Sequence, residues 1–149
     1  MIPAAVVDAS VAVKWVVEEA DSDAARLLSR SRLEAPDLLL VESANILWRK
    51  VRSGDLAQPD AASRLDLLLR APLVLFGTQD LLDAALRIAV ELKQPVTDCV
   101  YLALAYRREI PLVTADRRLQ LSMKKRTSFA IQVLVLADLA ERAVGQATG

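Results

Sequence analysis

The sequence contains no histidine, and this absence excludes several kinds of site at once. Without an imidazole there is no Ser-His-Asp or Cys-His catalytic arrangement, no histidine general base and no histidine ligand for zinc. The only cysteine, Cys99, cannot form an internal disulfide, and one thiol without a partner is what we expect of a cytosolic protein. Chemistry based on carboxylates and metal ions remains open.

Net charge and long apolar runs are also missing. Nineteen basic residues balance nineteen acidic ones, so any binding of nucleic acid must be local. Hydrophobic residues make up 54% of the chain, yet no apolar stretch approaches the roughly 18 residues of a membrane span. The start, Met1-Ile2-Pro3, lacks a signal-peptide pattern. We therefore expect a cytoplasmic protein with one domain, 1–149, whose surplus apolar surface lies between subunits.

Short apolar runs alternate with helical patterns along the chain. Strands are predicted at residues 4–7, 35–36, 73–76, 111–114 and 131–136. Helices are predicted at residues 10–18, 21–32, 37–52, 59–70 and 98–108, with a further helix that Thr78 caps and Pro95 ends; Ser10 and Thr97 are candidate caps. Strands that alternate with helices predict an α/β fold with a parallel sheet between helical layers.

Four acidic residues stand beside these apolar segments: Asp8 in AAVVDAS, Glu42 in LLLVESAN, Asp98 in PVTDCVYLALA and Asp116 in IPLVTADRRL. Asp8 and Asp116 follow strands, at the sheet edge where open parallel sheets bind ligands. Glu42 and Asp98 lie in the first turns of helices that start at the same edge. Two negative charges about 4 Å apart repel by on the order of 4 kcal/mol at an effective dielectric of about 20, so such a cluster indicates a bound cation. Oxygen ligands without histidine or cysteine suit Mg²⁺ or Mn²⁺.

Each of these acids also has a purely structural interpretation. Asp8 and Asp116 could cap the helix or turn that follows each of them. Glu42 and Asp98 could be favourable charges near helix N-termini, an effect of about 0.3–1 kcal/mol. The occurrence of all four at one predicted edge favours a shared site.

Four segments resemble the motifs of PIN-domain ribonucleases, particularly the VapC-type toxins of bacterial toxin–antitoxin pairs: VVDAS, the Glu42 helix with Asn45, TDCVYLALA and LVTADRRL. The resemblance extends from Asp8 to Asp116. It implies an α/β/α sandwich with a parallel sheet in the order 3-2-1-4-5, usually a homodimer. It also implies cleavage of single-stranded regions of RNA with Mg²⁺ or Mn²⁺, and a cognate antitoxin as partner. The family's catalytic and metal-binding quartet falls on Asp8, Glu42, Asp98 and Asp116, and its small hydroxyl position on Ser10.

In the mechanism that this resemblance implies, Asp8, Asp98 and Glu42 hold the first metal ion, and Asp116 is the weaker ligand. The number of ions, one or two, stays open. Ser10, Thr114 and Asn45 are candidate supports of the metal-binding carboxylates, although hydroxyls also serve as caps and strand ends. Candidate contacts to RNA are Lys14, Arg117 and Arg118, with Lys124, Lys125 and Arg126 in the same basic cluster. A surface role for Lys14 and a solvated basic face are the alternatives.

Two other classes of function fit less well. A haloacid-dehalogenase-like phosphatase needs a second aspartate two residues after Asp8, where Ser10 stands, and a receiver domain needs an acidic pair and a late lysine that are absent. A degenerate PIN module that binds RNA or protein without cleavage is the remaining alternative, and the intact quartet argues against it.

Overall fold

The computed structural model of the protein describes residues 2–124 and 128–149. Five parallel strands form one sheet in the order β3-β2-β1-β4-β5. The strands are β1 Ala4–Val7, β2 Arg32–Pro36, β3 Leu73–Phe76, β4 Leu112–Thr114 and β5 Val133–Val135. The predicted strand order is therefore confirmed. The central strand β1 pairs with β2 on one side and with β4 on the other, so the chain reverses its direction of travel across the sheet at β1.

Helices connect the strands and form the outer layers. They are α1 Ala9–Ala12, α2 Ser22–Leu27, α3 Leu38–Ser53, α4 Ala61–Leu69, α5 Leu82–Leu92, α6 Val96–Arg108, α7 Arg117–Ser122 and α8 Leu136–Ala147. Helix α6 is buried along most of its length and contacts β1, β2 and β4, as its nearly continuous apolar sequence predicts. One contiguous cluster of buried apolar side chains forms the core.

The predicted helix 10–18 is much shorter than expected. It begins one residue earlier, because Asp8 rather than Ser10 is the N-cap, and α1 gives way to a 3-10 turn at Val13–Trp15. Four valines in this segment, at positions 11, 13, 16 and 17, lose side-chain freedom in a helix, which weakens its continuation. Helix α2 is also shorter than its prediction, because β2 begins at Arg32.

Two further predicted caps are wrong. Helix α6 begins at Val96 with Pro95 as its N-cap, so Thr97 lies inside the first turn. The Thr78 hydroxyl does not cap its own helix; it donates to Asp37 Oδ1 at 2.5 Å and accepts from the backbone N–H of Leu38 at 2.9 Å. Thr78 therefore fastens the loop after β3 to the start of α3, which is the helix that carries Glu42.

Helix α3 ends at Ser53, where Gly54 follows in the left-handed conformation with φ 84°. The sequence pattern predicts no element after residue 136, whereas the structure has helix α8 there. Within the described residues, no helix has the length and apolar character needed to cross a membrane.

An ion pair between a buried carboxylate and an exposed guanidinium joins β2 to α6. The Glu34 carboxylate is 1% exposed and accepts two hydrogen bonds from the Arg108 guanidinium, at 2.8 and 3.0 Å, with Arg32 at 3.3 Å. Both carboxylate oxygens are paired, so the charge is compensated inside the fold.

Candidate active site

The four acidic residues line one open pocket of about 600 Å³ at the carboxyl edge of the sheet. Asp8 follows β1, Glu42 lies on α3, Asp98 on α6, and Asp116 follows β4. The parallel arrangement of β1 and β4 brings the first and last of these side by side although they are far apart in the sequence. The four acidic residues therefore lie at the same edge of the sheet, as the sequence predicts.

Asp8 is held by three hydrogen bonds. Ser10 Oγ donates to its Oδ1 at 2.5 Å, Thr114 Oγ1 donates to its Oδ2 at 2.5 Å, and the backbone N–H of Val11 donates to Oδ1 at 3.3 Å. Burial raises the pKa of the Asp8 carboxyl above its ordinary value, and the hydrogen bonds from the two hydroxyls offset this only in part. Asp8 is thus both the cap of α1 and a wall of the pocket.

The same hydroxyls extend the network to the loop after β4. Ser10 Oγ accepts from the backbone N–H of Ala115 at 3.1 Å, and Thr114 Oγ1 accepts from that of Asp116 at 3.0 Å. Ser10 and Thr114 therefore join Asp8 to the segment that carries Asp116. Their predicted contact with a carboxylate is present in the structure.

Glu42 is held by a residue that the sequence analysis did not identify. The hydroxyl of Tyr101, a residue only 2% exposed, donates to Glu42 Oε1 at 2.5 Å and leaves Oε2 without a partner among the described side chains. Burial raises the pKa of Glu42, and the charges of Asp98 and Asp8 raise it further. Tyr101 lies three residues after Asp98 on α6, hence on the same helix face, and this spacing is the signal that would have found it.

Asp98 and Asp116 differ from each other in how they are held. Asp98 accepts no hydrogen bond from any other described residue, and its pKa is raised by burial and by the charge of Asp116. Asp116 caps α7 by accepting the backbone N–H of Arg118 at 2.9 Å, and the Arg118 guanidinium lies 3.4 Å away. The structural interpretation of Asp116 as a cap is therefore correct, and the residue lines the pocket as well.

The donor set fits a hard divalent cation. Three carboxyl groups with raised pKa values face a pocket whose acidic walls offer oxygen ligands only, and a cation would favour their ionised forms. Among the described residues, no three acids, cysteines or histidines converge closely enough to form a preformed metal site. All four carboxylates line the same pocket, and their mutual repulsion favours separation until a cation is bound.

Several candidate residues lie elsewhere. Lys14 is neither at the pocket nor on the surface: it is 9% exposed, and its ammonium contacts Glu19 at 3.1 Å and the carbonyl of Ala20 at 2.8 Å. The interpretation of Lys14 as a phosphate ligand is therefore wrong, and so is the alternative of a snorkelling surface side chain. Arg117 pairs with Asp138 on α8 at 2.5 Å and does not line the pocket, whereas Arg118 does.

Asn45 lines the pocket but makes no hydrogen bond to any of the four carboxylates. The support predicted for Asn45 is instead given to Glu42 by the Tyr101 hydroxyl. Arg49, one turn further along α3, also lines the pocket and was not among the predicted site residues. Lys125 and Arg126, from the predicted basic cluster, lie outside the described residues.

Comparison with known proteins gives consistent relatives. The sequence profile of the family described as PIN domain matches residues 5–123. Ribonuclease VapC3 of Pyrobaculum aerophilum is 35% identical over 118 residues, which cover 76% of this chain and 90% of that protein.

Solved structures share the fold. PAE2754 from Pyrobaculum aerophilum has a TM-score of 0.68 at 25% identity, covering 97% of this chain and 90% of that one. Mycobacterium tuberculosis VapC20, a sarcin-ricin loop cleaving toxin, has a TM-score of 0.60 at 17% identity, covering 82% and 95%. A toxin–antitoxin complex from Klebsiella pneumoniae has a TM-score of 0.54 at 14% identity, covering 75% and 86%. The acidic pocket at the carboxyl edge, the strand order and the extent of these matches together show that the chain belongs to the PIN-domain family, with VapC proteins among its relatives.

Proposed function

We propose that the protein is a metal-dependent endoribonuclease that cleaves single-stranded regions of RNA, and that it acts in the cytoplasm as the toxin of a toxin–antitoxin pair. The observation that carries the proposal is the grouping of four carboxylates in one pocket of a PIN-domain fold. The similarity to a VapC ribonuclease over most of both chains supports RNA as the substrate.

Asp8, Glu42 and Asp98 would hold the first cation, with Asp116 as the weaker ligand. A bound Mg²⁺ or Mn²⁺ supplies Lewis acidity at the phosphate oxygens and lowers the pKa of water. Ser10 and Thr114 keep both oxygens of Asp8 in fixed directions.

Glu42 has a distinct task in this proposal. Because Tyr101 donates to Oε1, the free Oε2 is the atom that would bind the cation, and the proton of the attacking water would pass to solvent. The water oxygen then bonds to phosphorus, the bond from phosphorus to the 3′-oxygen breaks, and the 3′-oxygen takes a proton from solvent and leaves as a hydroxyl.

The test is cleavage of a labelled single-stranded RNA beside a duplex of the same sequence, with Mg²⁺ or with excess EDTA. We expect cleavage of the single strand in Mg²⁺ and none in EDTA. Asp98→Asn should abolish cleavage, while Asp83→Asn, at an exposed acid on α5, should cleave as the wild type does. Full activity in EDTA would refute the metal dependence, and RNA binding without cleavage would indicate a degenerate PIN module instead.

The proposal includes a homodimer and a cognate antitoxin. Exposed apolar side chains on α3 and α5 provide surface that association would remove from water: Val41, Trp48, Leu82, Leu86 and Val90. One solved structural neighbour is a toxin–antitoxin complex, which supports a protein partner. Light scattering at micromolar concentration should give the mass of a dimer, and a monomer there would refute that part.

A further inference from the structure

The acidic pocket has more negative charge than one divalent metal ion can neutralise. Its four carboxylates carry four negative charges when ionised, and one divalent cation would leave two of them uncompensated. An RNA strand adds further negative charge at every phosphate. Two arginines, Arg49 on α3 and Arg118 on α7, also line this pocket, and their charges bring the sum with one divalent ion to neutrality.

Arg49 lies on the same face of α3 as Glu42. Positions 42, 45, 46 and 49 all line the pocket, which is the spacing of one helix stripe. With a rise of about 1.5 Å per residue, the backbone of Arg49 is roughly 10 Å further along the helix axis than that of Glu42. The backbone of Arg49 is therefore at the far end of the α3 wall from Glu42, and its long side chain extends along that wall.

The guanidinium of Arg49 is uncommitted. It is exposed, and it makes no hydrogen bond or ion pair within the described residues. Other arginines are committed: Arg70 and Arg87 pair with acids on their own helices, and Arg52, one turn beyond Arg49, stacks on the Trp48 ring at 4.6 Å. Arg49 nevertheless stands close enough to Glu42 for its charge to offset a small part of the rise that burial causes in the pKa of that carboxyl.

We propose that Arg49 binds a phosphate of the RNA strand next to the scissile one, on the α3 side of the pocket, an inference that rests on the ribonuclease function proposed above. A guanidinium presents a planar fork of donors that matches a phosphate with two parallel hydrogen bonds. Such a contact positions the strand without reading its bases, so its loss weakens binding for every RNA sequence. Asn45 lies between Glu42 and Arg49 in the sequence and also lines the pocket, beside the apolar Ile46.

The experiment measures binding separately from cleavage. In an Asp98→Asn background, which prevents turnover, a fluorescein-labelled single-stranded RNA of mixed sequence is titrated by anisotropy in Mg²⁺ buffer over a range of salt concentrations. Arg49→Ala should bind about tenfold more weakly at low salt, as expected for loss of one charge-assisted contact. The slope of log affinity against log salt should be shallower by about 0.7, the value for one phosphate contact on a single strand. Arg49→Lys should retain the slope and recover part of the affinity.

Two arginines serve as matched controls. Arg52→Ala removes the nearest exposed arginine on α3, which does not line the pocket, and Arg87→Ala removes one on α5. Both should bind as the background protein does. Circular dichroism and a thermal melt confirm that Arg49→Ala is folded, and Arg49→Gln provides a second neutral variant.

Three results would overturn the inference: unchanged affinity and slope in both neutral Arg49 variants, an equal loss in Arg52→Ala, or no RNA binding by the background protein. RNA cleavage by the otherwise unaltered protein is scored separately, so cleavage with an inert Arg49 rejects this contact while leaving the ribonuclease proposal intact. If the protein does not cleave RNA but its salt slope depends on Arg49, the contact is supported and the ribonuclease proposal is rejected.

Discussion

Replacing Asp98 with asparagine should remove one charge from the pocket and little else. Asp98 accepts no hydrogen bond from the other described residues, so the substitution breaks no contact. Its own pKa is raised by burial and by Asp116, and its charge in turn raises the pKa values of Asp8 and Glu42. We therefore expect Asp98→Asn to be at least as stable as the wild type when no metal is bound, and inactive.

The expected gain in stability follows from the repulsion that is relieved. For two unit charges about 4 Å apart, Coulomb's law gives about 1 kcal/mol in water and about 4 kcal/mol at an effective dielectric of about 20, and a larger separation lowers both values in proportion. Asp98 is partly exposed, so solvent screening favours the lower part of this range. A gain of about 1 kcal/mol corresponds to a rise of about 2–4 °C in the melting temperature of a chain of this size.

The gain should depend on pH in a defined direction. A carboxyl whose pKa is raised in the folded state binds its proton more tightly there, so the stability that it contributes is fully present below its unfolded pKa of about 3.9. That stability is lost as pH rises through the raised folded value. The difference between Asp98→Asn and the wild type should therefore be absent near pH 4 and complete by neutral pH.

With metal bound, the wild type should be more stable than Asp98→Asn. A cation at a hundredfold excess over its dissociation constant stabilises the folded state by about 2.7 kcal/mol, and the variant binds it less well. The assay is thermal melting of both proteins at several pH values, in EDTA and in Mn²⁺, with Glu141→Gln on α8 as an exposed acid remote from the pocket. If Asp98→Asn melts well below the wild type without metal and Mn²⁺ shifts both equally, Asp98 is a structural charge at the start of α6 and not a metal ligand.

Three further substitutions test other contacts. Tyr101→Phe removes a hydroxyl that holds a pocket carboxylate and should weaken Mn²⁺ binding about tenfold by calorimetry, whereas Tyr106→Phe should not; equal affinities would contradict the supporting role. Arg108→Met leaves the buried Glu34 carboxylate with one weaker partner, Arg32, and should lower the urea concentration at the midpoint of unfolding; an unchanged midpoint would contradict the role of the pair. Gly54→Ala places a side chain at φ 84° and should cost about 1 kcal/mol in the same assay, although no atom within 4 Å obstructs it.

The sequence predicted the strands better than the helix ends. Strands 4–7 and 73–76 agree with β1 and β3, because a short apolar run bounded by a polar residue or glycine has few alternatives. Helix starts depend on the local competition between neighbouring hydroxyl and carboxylate groups. Asp8 accepts the N–H of Val11 and so caps the helix in place of Ser10, whose own hydroxyl donates to Asp8. The sequence pattern alone does not show which of two neighbouring groups will be the N-cap.

The acidic residues of the pocket were predictable, whereas their partners were less so. Carboxylates beside buried strands are conspicuous in a sequence, and strand topology then brings Asp8 and Asp116 together. The basic residues carry no comparable signal. Lys14 interrupts an apolar segment in a way that suggests exposure, yet it is buried because Glu19 and a backbone carbonyl compensate its ammonium. Tyr101 has an apolar neighbourhood in sequence, and only its spacing from Asp98 indicates that its hydroxyl reaches the pocket.

The pairing of β1 with β4 also orders events during synthesis of the chain. Asp8 leaves the ribosome before the other residues of the pocket, and the Thr114 hydroxyl that fixes its Oδ2, with Asp116 beside it, is made 106 or more positions later. Strand β1 can pair with β2 early, whereas its other edge stays open until β4 arrives. Because contacts between distant residues form only after the intervening chain has been made, a nascent chain that has not yet presented β4 has an incomplete pocket. The pocket is therefore complete only after β4 has been made and has paired with β1.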